Sequence, residues 1–265
     1  MESNHGNPRT ALVTGSSSGI GLELARLLAK DDVNLVLVAR NRASLEEQAN
    51  QLQAEHGVSV RIEPRDLAEP QAARRLWSDL NSAGIVVDIL VNNAGFGVYG
   101  VVEQQDPALE SMLHVSVVAL TSLTRLALPG MVARAWGRIL NVGSAVGYQP
   151  AGPRMAGYYA SKSYVVSFSK GLARELKRSG VSVTVLCPGP TGSAFEARSG
   201  ASRTLLYKLL PKMTAAAVAR AGYEGMNRQS MVIIPGFLTK FLAFAGELPP
   251  RGIALEINRL LLQER

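Results

Sequence analysis

The chain has 265 residues, of which 47% are hydrophobic and 18% charged, and these values fit one large α/β domain with a full core. Its single cysteine, Cys187, excludes an internal disulfide framework, and three scattered histidines without metal-ligand spacing indicate no metal site. The formal net charge of +7 comes from dispersed Lys and Arg residues, which favours a basic surface suited to an anionic cofactor over nucleic-acid binding.

Seven apolar runs predict β-strands, and segments with helical periodicity lie between them. The predicted strands are 11–13, 33–39, 58–62, 88–91, 138–142, 181–186 and 231–234. The predicted helices are 20–29, 43–55, 71–83, 107–133, 158–178 and 215–227. Continuous rather than alternating apolarity indicates strands covered on both faces. The alternation therefore predicts βαβ units and one Rossmann-like domain over residues 1–265, an α/β fold with a doubly wound parallel sheet of about seven strands.

Two segments depart from this alternation. Residues 189–214 form a long connection after a late strand, which is typical of a substrate lid. Residues 235–265 form an apolar C-terminal extension with Phe237, Leu238, Phe241, Leu242 and Phe244 clustered around Lys240. We expect the extension to pack on the core or in a subunit interface. Membrane-surface contact through an amphipathic helix is the less favoured alternative.

Targeting signals are not apparent in the sequence. Residues 1–10 are polar and lack the apolar core of a signal peptide. No run of about 18 uninterrupted apolar residues occurs, so no membrane-spanning helix is expected. Together with the single cysteine, these features favour a cytoplasmic location.

A glycine-rich turn follows the first predicted strand. It comprises Gly15, Ser16, Ser17, Ser18, Gly19, Ile20 and Gly21, in the spacing G-x-x-x-G-x-G. The glycines allow the backbone to approach a phosphate closely, and the helix that follows offers free N–H groups and its positive end. The position between the first strand and the first helix predicts dinucleotide binding.

The end of the second predicted strand indicates which dinucleotide is preferred. An acidic residue there would bond the 2′-hydroxyl of the adenosine ribose and favour NAD, but this chain has Arg40. A guanidinium matches a phosphate bidentately, so Arg40, assisted by Ser16 or Arg42, favours NADP(H). A solvated loop arginine is the alternative interpretation.

Tyr158 and Lys162 are four residues apart in a predicted helix, so both side chains project from one face. A nearby ammonium favours phenolate and lowers the pKa of a tyrosine, which allows proton transfer near neutral pH. A tyrosine packed over a lysine stem is the plain structural alternative. Tyr159 is a rival to Tyr158, because it also lies within reach of Lys162.

These motifs occur in an order that resembles the classical short-chain dehydrogenase/reductases, over residues 9–235. The ordered set is the glycine-rich turn, Asn92-Asn93-Ala94-Gly95 after the fourth strand, Ser144 after the fifth, Tyr158 with Lys162, and Pro188-Gly189 after the sixth. The resemblance implies that Tyr158 donates and accepts the proton. It implies that Lys162 lowers the pKa of Tyr158 and holds the nicotinamide ribose, and that Ser144 hydrogen-bonds the substrate oxygen.

The resemblance also implies further contacts to the cofactor and one departure from the family pattern. Besides the turn and Arg40, the implied cofactor residues are Asp66, Leu67, Asn93, Ala94, Gly95, Tyr158, Lys162, Pro188, Gly189, Thr191 and Ser193. Ser116 occupies the position where the family has an asparagine that holds a water behind the lysine. A serine hydroxyl is shorter, so we expect impaired but nonzero activity relative to a Ser116→Asn variant.

The function implied by the resemblance is NADP(H)-dependent hydride transfer between nicotinamide and a carbonyl or alcohol, with a hydrophobic ketone or secondary alcohol as substrate. Reduction of a 3-oxoacyl thioester is a narrower alternative. A catalytically weak regulatory or scaffold protein that binds NADP is a different class, supported by the Ser116 departure. Family analogy further implies a homodimer or homotetramer.

Overall fold

The computed structural model describes residues 8–192, 199–200, 204–205, 210–248 and 250–263. Seven parallel strands form one sheet in the order β3-β2-β1-β4-β5-β6-β9, which confirms the predicted doubly wound fold. These strands are β1 (Thr10–Thr14), β2 (Asn34–Ala39), β3 (Val60–Pro64), β4 (Ile89–Asn92), β5 (Gly137–Val142), β6 (Val181–Leu186) and β9 (Val232–Ile233). The short strands β7 (Thr191–Gly192) and β8 (Met213–Thr214) pair with each other as a separate parallel ribbon.

Helices cover both faces of the main sheet. They are α1 (Gly19–Lys30), α2 (Arg42–His56), α3 (Ala72–Ser82), α4 (Ala108–Leu113), α5 (Leu120–Ala133), α6 (Ala156–Glu175), α7 (Ala215–Asn227), α8 (Phe237–Glu247) and α9 (Arg251–Leu261). On one face, Leu28 of α1 and Val218 of α7 join the same core cluster. On the other face, the core contains Leu76 of α3, Leu123 of α5 and Leu172 of α6. The two apolar layers explain why the strands read as continuous apolar runs.

Most predicted elements are present, but several bounds differ for local reasons. The third strand begins at Val60 rather than residue 58, because Gly57 ends α2 in the left-handed conformation with φ 68°. Helix α6 ends at Glu175, three residues before the predicted end. The chain must turn there to reach Gly180, which has φ +78° and lies against the Ala135 carbonyl, leaving no space for a side chain.

The predicted helix 107–133 is one continuous helical stretch with a change of winding in the middle. A π-helical segment, His114–Ala119, separates α4 from α5. By length and composition alone, the 26-residue stretch Ala108–Ala133 could cross a membrane. Leu123, Ala127 and Met131 are nevertheless buried in the core beside the sheet, so its apolar character is explained by packing.

The predicted lid, residues 189–214, lies only partly within the described residues. Its ends are joined by the β7–β8 pairing, with Thr191 opposite Met213. Leu210 and Pro211 line the large cavity described below, as a lid would require. Ser193 lies outside the described residues, and the lid itself stays a prediction.

The C-terminal extension folds into α8 and α9. One side of the pair packs toward the core, where Leu262 joins a buried cluster with Tyr158 and Tyr159. The other side of α8 exposes Phe237, Phe241 and Phe244, which are 89%, 59% and 62% accessible. The expectation of core packing therefore holds for the inner side. Contact of the outer side with a second subunit or a membrane surface stays a prediction.

Candidate active site

A cavity of about 860 Å³ lies at the carboxyl ends of the central strands. Its wall includes the glycine-rich turn after β1, the segment after β4, the segment after β5 and the start of α6. Carboxyl-end clefts are the usual ligand sites of doubly wound sheets, because the loops that follow neighbouring strands converge there. The cavity thus gathers residues that are far apart in sequence.

The glycine-rich turn is fixed to β4 by the side chain of Asn93. Asn93 Nδ2 donates to the carbonyls of Thr14 and Gly15 at 2.9 and 3.0 Å, and Thr14 Oγ1 accepts from the backbone N–H groups of Asn93 and Ala94 at 3.0 Å each. A Cβ on Gly15 would lie 2.8 Å from Asn93 Nδ2, and one on Gly21 would collide with the Gly15 carbonyl and Asn93. The two glycines are therefore required by close packing, which holds the turn open for a ligand.

The N-terminus of α1 faces this turn and suits an anion. Ser18 is the N-cap but forms no side-chain capping bond, and the first turn of α1 contains no acidic residue. Ser17, Ser18, Gly19 and Ile20 line the cavity. Free N–H groups and the positive end of the helix dipole therefore meet the cavity, as phosphate binding requires.

Two residues of the predicted turn lie outside the cavity wall. Ser16 is fully buried and donates a hydrogen bond from Oγ to the Val38 carbonyl at 3.4 Å. Gly21 is buried in the first turn of α1 against Gly15. Both support the turn from behind, so Ser16 is not placed to assist Arg40.

Arg40 stands at the end of β2 on the rim of the cavity. Its side chain is 67% exposed, and Nη1 lies 3.9 Å from Asp66 Oδ2. An exposed pair at that distance contributes little energy, so the guanidinium is available to a phosphate. Asp66 also accepts from the Ala68 N–H at 2.9 Å, and Leu67 lines the cavity beside it. Arg42 has a similarly exposed pair with Glu46 at 3.7 Å but lies outside the cavity wall.

Ser144 and Tyr158 meet at the other end of the cavity. Ser144 caps the short helix Ala145–Tyr148, and its Oγ accepts from the Val146 N–H and lies near the Pro188 carbonyl, both at 3.4 Å. The Tyr158 hydroxyl is hydrogen-bonded to Ser144. A hydroxyl pair of this kind can donate to and accept from one substrate oxygen.

Lys162 is buried one helical turn after Tyr158. Its Nζ donates to the Val142 carbonyl at 2.9 Å and lies 5.8 Å from the centroid of the Tyr158 ring. Burial lowers the pKa of Lys162 to about 8. Seven residues further along the same face of α6, Ser169 accepts a hydrogen bond from Asn141 of β5 at 2.9 Å. These two hydrogen bonds between α6 and β5 therefore fix the position of Lys162 relative to the sheet.

The expected lowering of the Tyr158 pKa is wrong for this structure. Burial raises the pKa of Tyr158 to about 12, and the hydrogen bond with Ser144 opposes that rise without reversing it. Burial outweighs the nearby ammonium of Lys162, which donates to the Val142 carbonyl and lies over the Tyr158 ring. Tyr158 is therefore held in its protonated form.

Tyr159 also lines the cavity, but its surroundings differ. It is 3% exposed, and its ring packs so closely on Gly152 that a Cβ there would collide with it. Burial raises the pKa of Tyr159 as well. Ser144 bonds to Tyr158, which favours Tyr158 over its rival as the proton-transfer residue.

Ser116 lies in the π-helical segment, close to Lys162. A Cβ on Gly95 would stand 3.5 Å from Ser116 Oγ and 3.7 Å from Lys162 Nζ. Ser116 is 2% exposed, and its Oγ has no hydrogen-bond partner among the described residues. A buried hydroxyl without a partner is costly, so this position, which faces Gly95 as the Lys162 ammonium does, suits a bound water.

The segment after β6 forms the remaining wall of the cavity. Pro188, Gly189 and Thr191 line it, and Thr191 Oγ1 donates to the Gly189 carbonyl at 3.0 Å. A Cβ on Gly189 would lie 2.5 Å from Thr239 Oγ1, so α8 begins directly against this loop. These residues, together with Asn93, Ala94 and Gly95, lie along the same cavity as Tyr158 and Lys162.

Comparison with known proteins identifies the family. The family model described as short chain dehydrogenase matches residues 9–204. The chain belongs to the short-chain dehydrogenase family. It is accordingly an oxidoreductase, and the expected family membership is confirmed.

Two curated relatives and one solved structure illustrate the similarity. The ketoacyl reductase HetN of Nostoc sp. is 31% identical over 254 residues, which cover 92% of this chain and 86% of that protein. The very-long-chain 3-oxoacyl-CoA reductase of Anas platyrhynchos is 34% identical, covering 67% of this chain and 58% of that protein. A short-chain dehydrogenase from Sphingobium yanoikuyae in complex with NADPH is 33% identical with a TM-score of 0.80, covering 90% of this chain and 92% of that one.

Sequence reasoning did not place the C-terminal extension in this site. Leu242, Ile253, Ile257 and Asn258 line the cavity, as does Gln149 on the catalytic side. The available signal was the spacing of Ile253 and Ile257 on one helix face, with Asn258 beside them as a polar residue in an apolar stretch.

We expect Ser116→Asn to raise turnover by about tenfold or less, because a longer amide can hold a water behind Lys162 with an additional hydrogen bond. Steady-state kinetics of the purified variant and wild-type enzyme measure the effect. Ser116→Ala serves as the matched control and should be slower than wild type. Equal rates in all three proteins would show that this position does not limit turnover.

Proposed function

We propose that this short-chain dehydrogenase transfers a hydride between NADP(H) and the carbonyl or alcohol carbon of a hydrophobic ketone or secondary alcohol. The observation that carries the proposal is the hydrogen-bonded Ser144–Tyr158 pair, with Lys162 one turn away, in the cavity that also contains the glycine-rich turn. A proton donor and a dinucleotide cradle in one cavity are the parts that such a reaction needs.

NADP(H) fits the residues at the other end of the cavity. The turn and the N-terminus of α1 suit the pyrophosphate, and Arg40 stands at the end of β2 without an acidic neighbour on that strand end. The related enzyme from Sphingobium yanoikuyae was solved with NADPH, which agrees with this preference. When bound, the nicotinamide supplies a hydride to a carbonyl carbon or accepts one from an alcohol carbon.

The protein contributes orientation and the proton. In reduction, Ser144 Oγ hydrogen-bonds the substrate oxygen, and the Tyr158 hydroxyl gives its proton to that oxygen as the carbon gains the hydride. In oxidation, Tyr158 takes the proton back. The pKa of about 12 keeps Tyr158 protonated at neutral pH, which suits the reductive direction.

Lys162 acts on Tyr158 through charge and position. As an ammonium next to the phenol, it stabilises the phenolate that remains after proton donation. The bond to the Val142 carbonyl keeps the ammonium in the site, and the buried Ser116 side chain faces Gly95 as the ammonium does. A water at Ser116 would supply the path by which Tyr158 recovers its proton.

Reduction of a 3-oxoacyl thioester is the second candidate. It is favoured by the similarity to HetN, a ketoacyl reductase, and to a 3-oxoacyl-CoA reductase. A comparison of simple ketones with 3-oxoacyl thioesters under NADPH oxidation would separate the two. Binding of NADPH without turnover of either class would favour the regulatory or scaffold alternative.

The expected homodimer or homotetramer and the cytoplasmic location stay predictions. The surface of the π-helical segment and α6 supports an oligomer, since Val118 and Tyr164 are 48% and 38% exposed, and Tyr164 stacks on Phe168 with ring centroids 5.6 Å apart. Solution mass by light scattering would measure the number of subunits.

We expect Tyr158→Phe to lower kcat for ketone reduction by about 10²- to 10⁴-fold, the usual contribution of a positioned acid. The phenylalanine keeps the ring in its buried place but removes the proton donor. NADPH oxidation at 340 nm, with folding checked by circular dichroism, measures the effect. Tyr159→Phe is the matched control and should stay within a few-fold of wild type. A large loss in Tyr159→Phe with full activity in Tyr158→Phe would reverse the assignment.

The reductive rate should fall as pH rises through about 8. Lys162, whose pKa burial lowers to about 8, is charged below that pH and neutral above it, while Tyr158 with a pKa of about 12 stays protonated throughout. The loss of charge leaves the phenolate less stabilised and slows proton donation. A kcat/KM profile between pH 6 and 10 measures this fall. Lys162→Arg, which stays charged, should be slower but lack the break near pH 8. A break that persists in the variant would assign it to another group.

Arg40→Ala should weaken NADPH binding by about 10- to 100-fold and leave NADH binding nearly unchanged, because only NADPH carries the 2′-phosphate. Fluorescence titration of both cofactors gives the two Kd values. Arg42→Ala is the control, since Arg42 is equally exposed but pairs with Glu46 outside the cavity wall. An equal loss of affinity for both cofactors in Arg40→Ala would show that Arg40 does not bind the 2′-phosphate.

A further inference from the structure

The C-terminal extension supplies a large part of the cavity wall. Residues from both α8 and α9 line it, among them Leu242 of α8 and Ile253, Ile257 and Leu261 of α9. Leu262 packs with Met112, Met155 and Tyr158 in a buried cluster next to the proton-transfer residue. The extension thus forms part of the wall of the candidate active site.

Polar contacts hold the extension against residues 149–151, which follow the short helix Ala145–Tyr148. Gln149 Nε2 donates to the Leu242 carbonyl at 2.7 Å, and Asn258 Nδ2 donates to the Ala151 carbonyl at 2.7 Å and to Gln149 Oε1 at 3.4 Å. Tyr99 donates from its hydroxyl to the Leu262 carbonyl at 2.6 Å. Because Asn258 is only 7% exposed, its bonds are made away from water and fix the position of α9.

The charged side chains of the described cavity wall lie in two places, both outside α8 and α9. Arg40, Arg65 and Asp66 lie at the end of the cavity near β2 and β3, and Lys162 lies at the catalytic centre. The cavity-lining side chains of α8 and α9 that the structure describes carry no charge. A ligand that extends from Tyr158 along this wall meets uncharged and mostly aliphatic groups, with Thr239 and Asn258 as the polar ones, so an uncharged apolar chain is the chemistry that fits.

The aliphatic wall reaches the surface. Ile253 and Ile257 line the cavity and yet are 61% and 50% exposed, so the cavity opens between them and solvent. An opening lined by isoleucines can accommodate a chain that is longer than the enclosed space, because its far end can emerge there. The wall therefore favours extended substrates without setting a strict upper length.

We propose that α8 and α9 form an apolar subsite that selects carbonyl substrates with an extended aliphatic chain, with Ile253 and Ile257 as its specificity-determining residues. The carbonyl group lies at Ser144 and Tyr158, and the chain runs along Leu242 toward Ile253 and Ile257. Gln149 and Asn258 are positioning residues that hold the subsite in place. The inference rests on the proposed carbonyl reduction for the nature of the reacting group.

A series of methyl ketones from 2-butanone to 2-decanone with saturating NADPH tests the subsite. In wild type, kcat/KM should rise by up to about fourfold for each methylene that becomes buried, the factor that corresponds to about 0.8 kcal/mol. The double variant Ile253→Ala with Ile257→Ala should flatten this rise, because kcat/KM falls more for 2-decanone than for 2-butanone. Leu255→Ala is the matched control, because Leu255 is exposed on α9 outside the cavity wall. A rise that is unchanged in the double variant, or lost equally in the control, would overturn the subsite.

Asn258→Ala tests the positioning residues. It removes the bonds to Ala151 and Gln149, so KM should rise several-fold more for 2-decanone than for 2-butanone, with the larger effect on KM than on kcat. A merely destabilising change would lower activity on both ketones together. Equal effects on short and long ketones would therefore contradict the positioning role.

Binding of the ketones is measured separately, so that failure of the subsite is distinguishable from failure of the proposed function. Calorimetry of the NADP⁺-loaded protein gives affinities for 2-butanone, 2-hexanone and 2-decanone without turnover. Affinity that rises with chain length and falls in the double variant, combined with no reduction of any ketone, would refute the proposed reaction but keep the apolar subsite. Affinity independent of chain length would refute the subsite whether or not ketones are reduced.

Discussion

The hydrogen bonds between Asn93 and the end of β1 are the constraint on which the site depends. Asn93 Nδ2 donates to the carbonyls of Thr14 and Gly15, while Thr14 Oγ1 receives the N–H groups of Asn93 and Ala94. This reciprocal set joins the ends of two central strands and fixes the turn that opens toward α1. This packing requires glycine at positions 15 and 21, because any side chain at Gly15 or Gly21 would displace Asn93 or the turn.

A second buried hydrogen-bond network fixes the position of α6, which carries Tyr158 and Lys162, relative to the same sheet. Asn92 of β4 donates to Asn141 of β5 at 2.9 Å and to Thr124 of α5 at 3.0 Å, and Asn141 donates to Ser169 of α6. Since Lys162 also bonds to β5, α6 is held at two points along one face. Connected hydrogen bonds in a low-dielectric core resist displacement, so Tyr158 and Lys162 are carried on a rigid helix.

The cavity combines two regions of opposite character. Near Arg40 and the N-terminus of α1 it is polar and positive, which suits phosphates, whereas the wall formed by the C-terminal extension is aliphatic. Tyr158 lies between these two regions and is buried. Burial there raises the pKa of Tyr158 and lowers that of Lys162, so the same exclusion of water that protects a hydride transfer also tunes both proton-handling groups.

The sequence by itself determined the parallel sheet, the glycine-rich turn and the order of Asn93, Ser144, Tyr158 and Lys162, because apolar periodicity and local spacing are properties of neighbouring residues. Only the tertiary structure decided three matters. Burial reversed the expected direction of the Tyr158 pKa shift. The Ser16 hydroxyl bonds to the Val38 carbonyl instead of lining the cavity, and Asn258 joins α9 to the site through its bond to Ala151. Desolvation and contacts such as that between Asn258 and Ala151, 107 positions apart, depend on how the chain packs in space and have no local pattern to reveal them.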